Sequence, residues 1–220
     1  MLVKWITCRT TDGAAFDLGQ QAWAQLHNAP GFLGQGGGWS RETPGVAQIF
    51  GFWSDPAGYQ VFMDGLHDRL AAAQLGTFDD IRVSVFAQRF GIAHGLPAGF
   101  AGASLLRLAH CHVREHRREH FVQMLAEVGN PGMAASRGMR GGVFAEGADA
   151  EFFVLSAWET AADHQRYLDE RFRRRCETAK PAADLDALPG GLVDLVDLEP
   201  RWTVFGRSSE ASAHRLRECP

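Results

Sequence analysis

The sequence lacks the features of several large protein classes. No apolar run approaches the roughly 20 residues that a membrane-spanning helix needs. Lysine and arginine (22) do not outnumber aspartate and glutamate (26), so the formal charge of −4 creates no positive field for a nucleic-acid backbone. The four cysteines have no paired spacing, and the first residues do not resemble a signal peptide. We therefore expect a cytoplasmic globular protein with free thiols, and neither nucleic acid nor membrane as a partner.

Complete catalytic motifs are also missing. The sequence contains no Gly-x-Ser-x-Gly elbow, no Walker loop and no His-Glu-x-x-His motif. A glycine-rich stretch at 34–38 leads into Trp39 and a turn instead of opening a helix, so it cannot cradle a phosphate. These glycines favour a strand bulge, or a close approach of backbone or ligand. No cofactor is predicted.

The sequence does contain an internal repeat. Several anchors recur in the same order and with similar spacing, which indicates a duplicated domain. The paired anchors are Cys8 with Cys111, Pro30-Gly31 with Pro131-Gly132, and the Trp-containing segment 52–63 with 157–168. A chain of 220 residues accommodates two units of about 100 residues, each large enough for a core. We place these units at 1–90 and 103–207.

Each unit is predicted to have the order strand, helix, strand, strand, helix, strand, which is the ferredoxin-like arrangement. The first-unit segments are 2–8, 12–27, 32–39, 46–53, a helix begun by Ser54 or Asp55 with Pro56, and 81–86. The second-unit segments are 105–113, 115–128, 136–144, 152–158, a helix begun by Thr160, and 202–205. Residues 181–200 have no counterpart in the first unit and are expected to form a loop or lid. The fold class is therefore α+β, with two antiparallel sheets packed face to face and helices outside.

Four stretches of the first unit resemble the uncharacterised YdbC-type bacterial proteins: 4–8, 31–39, 52–55 and 67–68. That family belongs to the dimeric α/β-barrel superfamily, with the antibiotic-biosynthesis-monooxygenase-like proteins. The second unit is similar only to the superfamily, through 131–132 and 155–159. The resemblance implies tandem ferredoxin-like domains that close a barrel within one chain, as a pseudo-dimer that is either a monomer or a further homodimer.

The superfamily that this chain resembles includes cofactor-free monooxygenases of aromatic polyketides, haem-degrading enzymes and dye-type peroxidases. The haem-degrading members carry a histidine late on the second helix. The corresponding positions here are Ala72 and Glu177, which argues against haem degradation by that route.

A candidate site combines indole, amide and imidazole groups of the first unit. Its residues are Trp5, Gln35, Trp39, Trp53 and His67. Aromatic side chains can enclose a flat ligand, the amide can orient it, and His67 can act as the acid or base. The alternative is that the tryptophans are core residues and that His67 is a partly exposed helix residue paired with Asp68. If a site exists, we expect it mainly in the first unit.

Two functions follow from this candidate site. The first is a cofactor-independent monooxygenase-like or isomerase-like enzyme that acts on a small aromatic or polyketide-like molecule. The alternative is a non-catalytic module that binds a small hydrophobic ligand, for example in a stress response. A cavity lined by apolar groups alone would favour the binding module. If His67 faced a cavity beside a second polar group, the enzyme would be favoured.

Four histidines of the second unit have spacings that can chelate a transition metal. His110 and His112 share a strand face, and His116 and His120 share a helix face. A turn separates the two pairs, and the first unit has no analogous ligands. No specific metal site is therefore predicted, and adventitious binding of nickel or zinc is expected.

Overall fold

Eight antiparallel strands close into one barrel. The computed structural model describes residues 1–179, 181–186 and 192–207. The strands in this part of the chain are β1 (Leu2–Thr10), β2 (Phe32–Ser40), β3 (Val46–Trp53), β4 (Phe78–Ile92), β5 (Leu105–His112), β6 (Met139–Glu146), β7 (Glu151–Trp158), β8 (Leu192–Leu198) and a short β9 (Val204–Phe205). The α-helices are α1 (Gly13–Gln21), α2 (Pro56–Gly65), α3 (His67–Ala71), α4 (Arg118–Met124), α5 (Asn130–Ala134), α6 (Ala161–Tyr167) and α7 (Arg173–Ala179).

Strand pairing has the same order in the two halves of the chain. The first half is ordered β4-β1-β3-β2 and the second β8-β5-β7-β6. The register also agrees, because Leu2 lies opposite Trp53 and Leu105 lies opposite Trp158. Pairing of β4 with β6, and of β2 with β8, closes the barrel. The antiparallel α+β fold is confirmed, whereas the division into units 1–90 and 103–207 stays a prediction.

Side-chain caps begin three of the helices, and those at Asp55 and Thr160 were expected from the sequence. Asp12 accepts a hydrogen bond from the Ala15 amide before α1 (3.0 Å), and Asp55 accepts one from the Gly58 amide before α2 (2.8 Å). Thr160 accepts one from the Asp163 amide at the start of α6 (3.1 Å). These bonds satisfy amides that have no partner within the helix. Among the described residues, no helix combines the length and apolar character needed to cross a bilayer.

Aromatic side chains from both halves fill the middle of the barrel. Phe86 stacks on Phe153 with ring centroids 4.9 Å apart, and Trp5 and Phe50 pack on the same Phe153 ring. Towards one end, Phe100 from the connection between the halves enters the core. A Cβ atom at Gly36 would lie 2.7 Å from the Phe100 ring, so this glycine is required for the approach. The group that approaches Gly36 is thus a side chain, whereas the sequence led us to expect a strand bulge or a close approach of backbone or ligand.

The closing strand of the second half differs from the prediction. It is β8 (Leu192–Leu198), which lies in the segment expected to be a loop or lid. Asp194 occupies an inward position of β8 and interrupts the alternation of apolar residues. The sequence pattern therefore did not predict a strand here. Residues 204–205 instead form β9, which pairs with β2 of the first half. The Pro-Gly-Gly stretch at 189–191 lies outside the described residues.

The match of Pro131-Gly132 with Pro30-Gly31 is also wrong. The helical segment predicted at 115–128 continues through a π-helical turn into α5. Pro131 lies in the first turn of α5, where a residue without an amide hydrogen is tolerated. The residue before β6 that corresponds to Gly31 before β2 is Gly138, and both have positive φ (71° and 74°). Helical propensity of the preceding residues outweighed the turn signal of the Pro-Gly pair.

Replacing Phe153 by alanine tests whether the two halves share one core. We expect Phe153→Ala to lower the free energy of unfolding by about 3–5 kcal/mol, because it removes a second-half ring packed against Trp5, Phe50 and Phe86 of the first half. Urea unfolding followed by circular dichroism should show one transition, shifted as a whole. Val193→Ala, at a position that is 53% exposed, should change stability by no more than about 0.5 kcal/mol. Two separate transitions would contradict a shared core.

Candidate functional site

One cavity, which we call the first cavity, lies on the outer face of the first half's sheet. Side chains of β1 alternate, so Trp5 faces the barrel interior while Lys4, Ile6 and Cys8 face outwards. The helical segments leave a cavity of about 100 Å³ above these outward residues. Its lining comprises Lys4, Ile6, Cys8, Phe16, Gln20, Trp23, Gln35, Ile49, His67, Ala71, Gln74, Phe78, Ile81 and Val83.

The second cavity lies on the outer face of the other sheet and is larger, at about 230 Å³. Strands β5 and β7 form its floor, and the helical segments from α4 to α7 form its walls. Most of its lining is apolar. The apolar residues are Ala109, Phe121, Met124, Leu125, Val128, Met133, Val154, Phe172, Leu185 and Val193; the others are Arg107, His110, Cys111, Gly129, Tyr167, Arg175 and Asp184.

The two cavities occupy equivalent positions in the two halves. The shared register aligns Lys4 with Arg107 and Cys8 with Cys111, and each of these residues lines the cavity of its own half. Burial raises the pKa of both thiols to about 12, with a further contribution to Cys8 from the charge of Asp80. Both thiols are therefore neutral near pH 7 and are not activated nucleophiles.

Lys4 is a buried cation in the first cavity. Its residue surface is only 5% exposed, and burial lowers the pKa of its amine to about 8. It forms no ion pair with any residue in the described ranges. Its Nζ atom lies 5.3 Å from the Tyr59 ring centroid and 5.8 Å from that of Phe62, so cation–π contacts partly replace its lost hydration. Perturbed ionisable groups of this kind are common at functional sites.

His67 and Gln35 line the same cavity as Lys4. The imidazole of His67 contacts Asp68 (Nδ1 to Oδ1, 2.9 Å), and its ring lies edge-on to Trp23 and Phe62. Gln35 is 3% exposed, and its amide nitrogen has no hydrogen-bond partner among the described residues. An unsatisfied buried donor is costly unless a ligand accepts from it.

The three tryptophans do not join His67 and Gln35. Trp5 faces the barrel interior and donates a hydrogen bond from Nε1 to Gln48 (2.7 Å). Trp39 packs on Phe16 and Trp202 in one outer cluster. Trp53 stacks on Phe62 in another outer cluster, with ring centroids 4.9 Å apart. All three contribute to packed cores, and a ligand-binding role for them stays a prediction.

Sequence analysis missed Lys4 and the second cavity. The outward-facing positions of β1 are otherwise apolar (Leu2, Ile6 and Cys8), so a lysine among them was the available signal. For the second cavity the comparable signal was Arg107, which occupies the same register position on β5 as Lys4 on β1.

Comparisons with known proteins agree with this fold. Residues 2–86 match the model of a family described as a domain of unknown function, DUF4937. The uncharacterised protein YdbC of Bacillus subtilis is 29% identical over 102 residues, which are 44% of this chain and 86% of YdbC. The resemblance of the first half to the YdbC-type proteins is thereby confirmed.

Solved structures extend the likeness to nearly the whole chain. A candidate monooxygenase from Lactobacillus acidophilus superposes with a TM-score of 0.72 at 11% identity and covers 93% of this chain and 95% of its own. An anthrone oxidase-like protein gives a TM-score of 0.66 at 12% identity, with 94% of each chain covered. At these identities the likeness shows a shared monooxygenase-like fold and no particular activity.

Replacing Lys4 by methionine should stabilise the protein at neutral pH. Below pH 8 the folded protein holds a charged, buried amine, whose pKa is shifted from 10.5 to about 8. Such a shift costs at most about 3 kcal/mol, and lost cation–π contacts reduce the expected gain of Lys4→Met to roughly 1–3 kcal/mol.

The stability difference between the wild type and Lys4→Met should depend on pH. Between pH 8 and 10.5 the folded state has released the Lys4 proton while the unfolded chain retains it. Wild-type stability therefore rises across this range relative to Lys4→Met, and the advantage of the variant should vanish by pH 10.5. Urea unfolding at several pH values measures this, with the exposed Arg82→Met as the control. A pH-independent difference would contradict the assignment.

Proposed function

We propose that this protein binds a small aromatic or otherwise apolar molecule in the second cavity. The volume and the mostly apolar lining of that cavity support this proposal. An apolar cavity of about 150 Å³ in another protein holds benzene, and the second cavity is larger, at about 230 Å³. The first cavity, at about 100 Å³, is below that size. An apolar ligand would gain about 25 cal/mol for each Å² removed from water.

Polar groups on the cavity lining would orient such a ligand. The Arg107 guanidinium lies 5.7 Å from the Phe172 ring centroid and presents donors suited to a ligand oxygen. The carboxylate of Asp184 is held by Arg117 and His120, each at 2.7 Å, so its charge is compensated. A few polar groups at the margin of an apolar cavity are typical of a binding site.

A second candidate function is catalytic and rests on the first cavity. His67 lines it beside Gln35 and Lys4, which is the arrangement that favours an enzyme. With a pKa of about 8, part of the Lys4 population is a neutral amine at pH 7–8 and can accept a proton. This supports a cofactor-independent monooxygenase-like or isomerase-like reaction on a small aromatic or polyketide-like molecule, for which α3 would have to move to enlarge the cavity.

The equal strand order of the two halves supports an origin by duplication. One chain supplies both sheets of the barrel, so a monomeric pseudo-dimer is the proposed form. The two cavities differ in volume and lining. This difference supports different roles for the two halves, in which one binds a ligand and the other completes the barrel.

Binding is tested with 1-naphthol as the probe. Isothermal titration calorimetry should show one site, and the melting temperature should rise with probe concentration because the folded state alone binds it. Leu125→Trp fills the second cavity and should abolish binding, whereas Leu18→Trp, at a 69% exposed position on α1, should not.

A third variant shows which of the two cavities binds 1-naphthol. Ala71→Trp fills the first cavity and should leave 1-naphthol binding intact. If Ala71→Trp abolished binding while Leu125→Trp retained it, the ligand site would belong to the first half. If the wild type gave no heat and no thermal shift, the proposal would be wrong for a probe of this size.

Catalysis is tested with anthrone in air and without added cofactor. Oxidation to anthraquinone consumes one O₂, adds one oxygen atom to the ring carbon and releases the other as water. We expect product by mass spectrometry with the wild type, and a loss of at least about 100-fold with His67→Asn if this imidazole is the acid or base. An unchanged rate in His67→Asn would remove His67 from the mechanism. Retained 1-naphthol binding would show that the variant is folded.

A further inference from the structure

Three metal-ligating side chains meet on the inner face of the barrel, at one end of β5. His110 and His112 are two positions apart on β5, so both point to the same face. Glu151, the first residue of β7, lies directly opposite His112 across the antiparallel pair. Strand alternation and strand register together place one carboxylate beside two imidazoles.

The distances suit a shared ion. One donor atom from each side chain can be chosen so that all three lie within 4.8 Å of one another. His110 Nε2 already contacts Glu151 Oε1 at 2.6 Å. Within the described residues, no other group of three or more such donors meets this condition.

We propose that His110, His112 and Glu151 bind one divalent transition-metal ion of the zinc, cobalt and nickel class. Neutral imidazole nitrogen and carboxylate oxygen are the donors these ions prefer. Three protein ligands leave at least one coordination position for water or a small molecule. The ion would sit at the rim, because the His110 and Glu151 side chains are 13% and 21% exposed and His112 is exposed.

Only small rotations are needed to bind the ion. With metal–ligand distances near 2.1 Å, two donors in a tetrahedral site lie about 3.4 Å apart. The His110–Glu151 contact must open slightly, and the widest donor pair must close. The His112 side chain is exposed at the rim, so its rotation displaces little packing.

Aromatic rings hold the His110 imidazole from inside the barrel. The Trp5 ring centroid lies 5.2 Å from that of His110, and the Phe86 centroid lies 6.2 Å from it. Trp5 is itself fixed by its hydrogen bond to Gln48. Outer residues that restrict a ligand's orientation strengthen metal binding.

The equivalent place in the first half has no such donors. The shared register aligns His110 with Thr7, His112 with Arg9, and Glu151 with Val46. Barrel architecture therefore does not require the three donors, since the same fold forms there without them. Of the three donors, His110 also borders the second cavity, whereas His112 and Glu151 line neither cavity.

Titration of the full chain without an affinity tag tests the site, with Zn²⁺ and Co²⁺ as probes. We expect one ion per chain by calorimetry, and visible Co²⁺ bands that Zn²⁺ abolishes. His112→Ala and Glu151→Gln should each weaken Zn²⁺ binding at least tenfold, since loss of an outer-shell partner alone costs 10- to 100-fold. His116→Ala, an exposed histidine nearby, should bind as the wild type does.

The outcomes separate the proposed site from adventitious binding. Metal-free melting curves of His112→Ala should match the wild type, because its side chain is exposed, so weakened binding would not reflect unfolding. Unchanged Zn²⁺ affinity in both His112→Ala and Glu151→Gln would overturn the proposal. So would a loss of binding in His116→Ala, which would assign the ion to the surface histidines of the α4 region.

Discussion

Closure of the sheet is the constraint on which the rest of this structure depends. The four strands of each half would leave two exposed edges, and pairing of β4 with β6 and β2 with β8 removes them. Polar side chains hold the second seam: Asp194 accepts hydrogen bonds from Ser40 (2.9 Å) and Gln48 (3.0 Å), and Arg41 pairs with Asp197. Asp194 is 2% exposed, so these donors offset the cost of its burial.

Closure also determines where ligands can bind. Rings from both halves, including Phe50, Phe86 and Phe153, fill the middle of the barrel, as expected for a closed sheet of eight strands. Cavities of useful size therefore lie outside the barrel, between each sheet and its helices. The end of the barrel near His110 is the exception, because polar side chains replace aromatic ones there.

The two halves place different side chains on one framework. Lys4 and Arg107 occupy the same register position, yet Lys4 lies in a small cavity that it shares with His67 and Gln35, whereas Arg107 lies beside a larger, mostly apolar one. A lysine amine can lose its proton when it is buried, whereas a guanidinium stays charged and suits contact with a ring such as Phe172. This difference is the physical basis of the proposals that the first half transfers a proton and that the second binds a ligand.

Local patterns determined much of the fold. Alternating strand residues, the caps at Asp55 and Thr160, and the repeated Trp53 and Trp158 predicted most of the elements and their order, because these signals are local in the chain. Strand β8 was missed because its inward Asp194 is satisfied by Ser40 and Gln48, which are remote in sequence.

The candidate sites depended on tertiary structure. The sequence placed Gln35 and His67 in one set with three tryptophans, and the structure brings Gln35 and His67 to one cavity whose lining does not include Trp5, Trp39 or Trp53. Strand register decides which side chains face the barrel interior and which face the helices. Glu151 joins His110 and His112 only through pairing of β5 with β7, and the burial that shifts the Lys4 pKa exists only when the helices pack on the sheet. Hydrophobic pattern is a property of the chain, whereas proximity and desolvation are properties of the folded molecule.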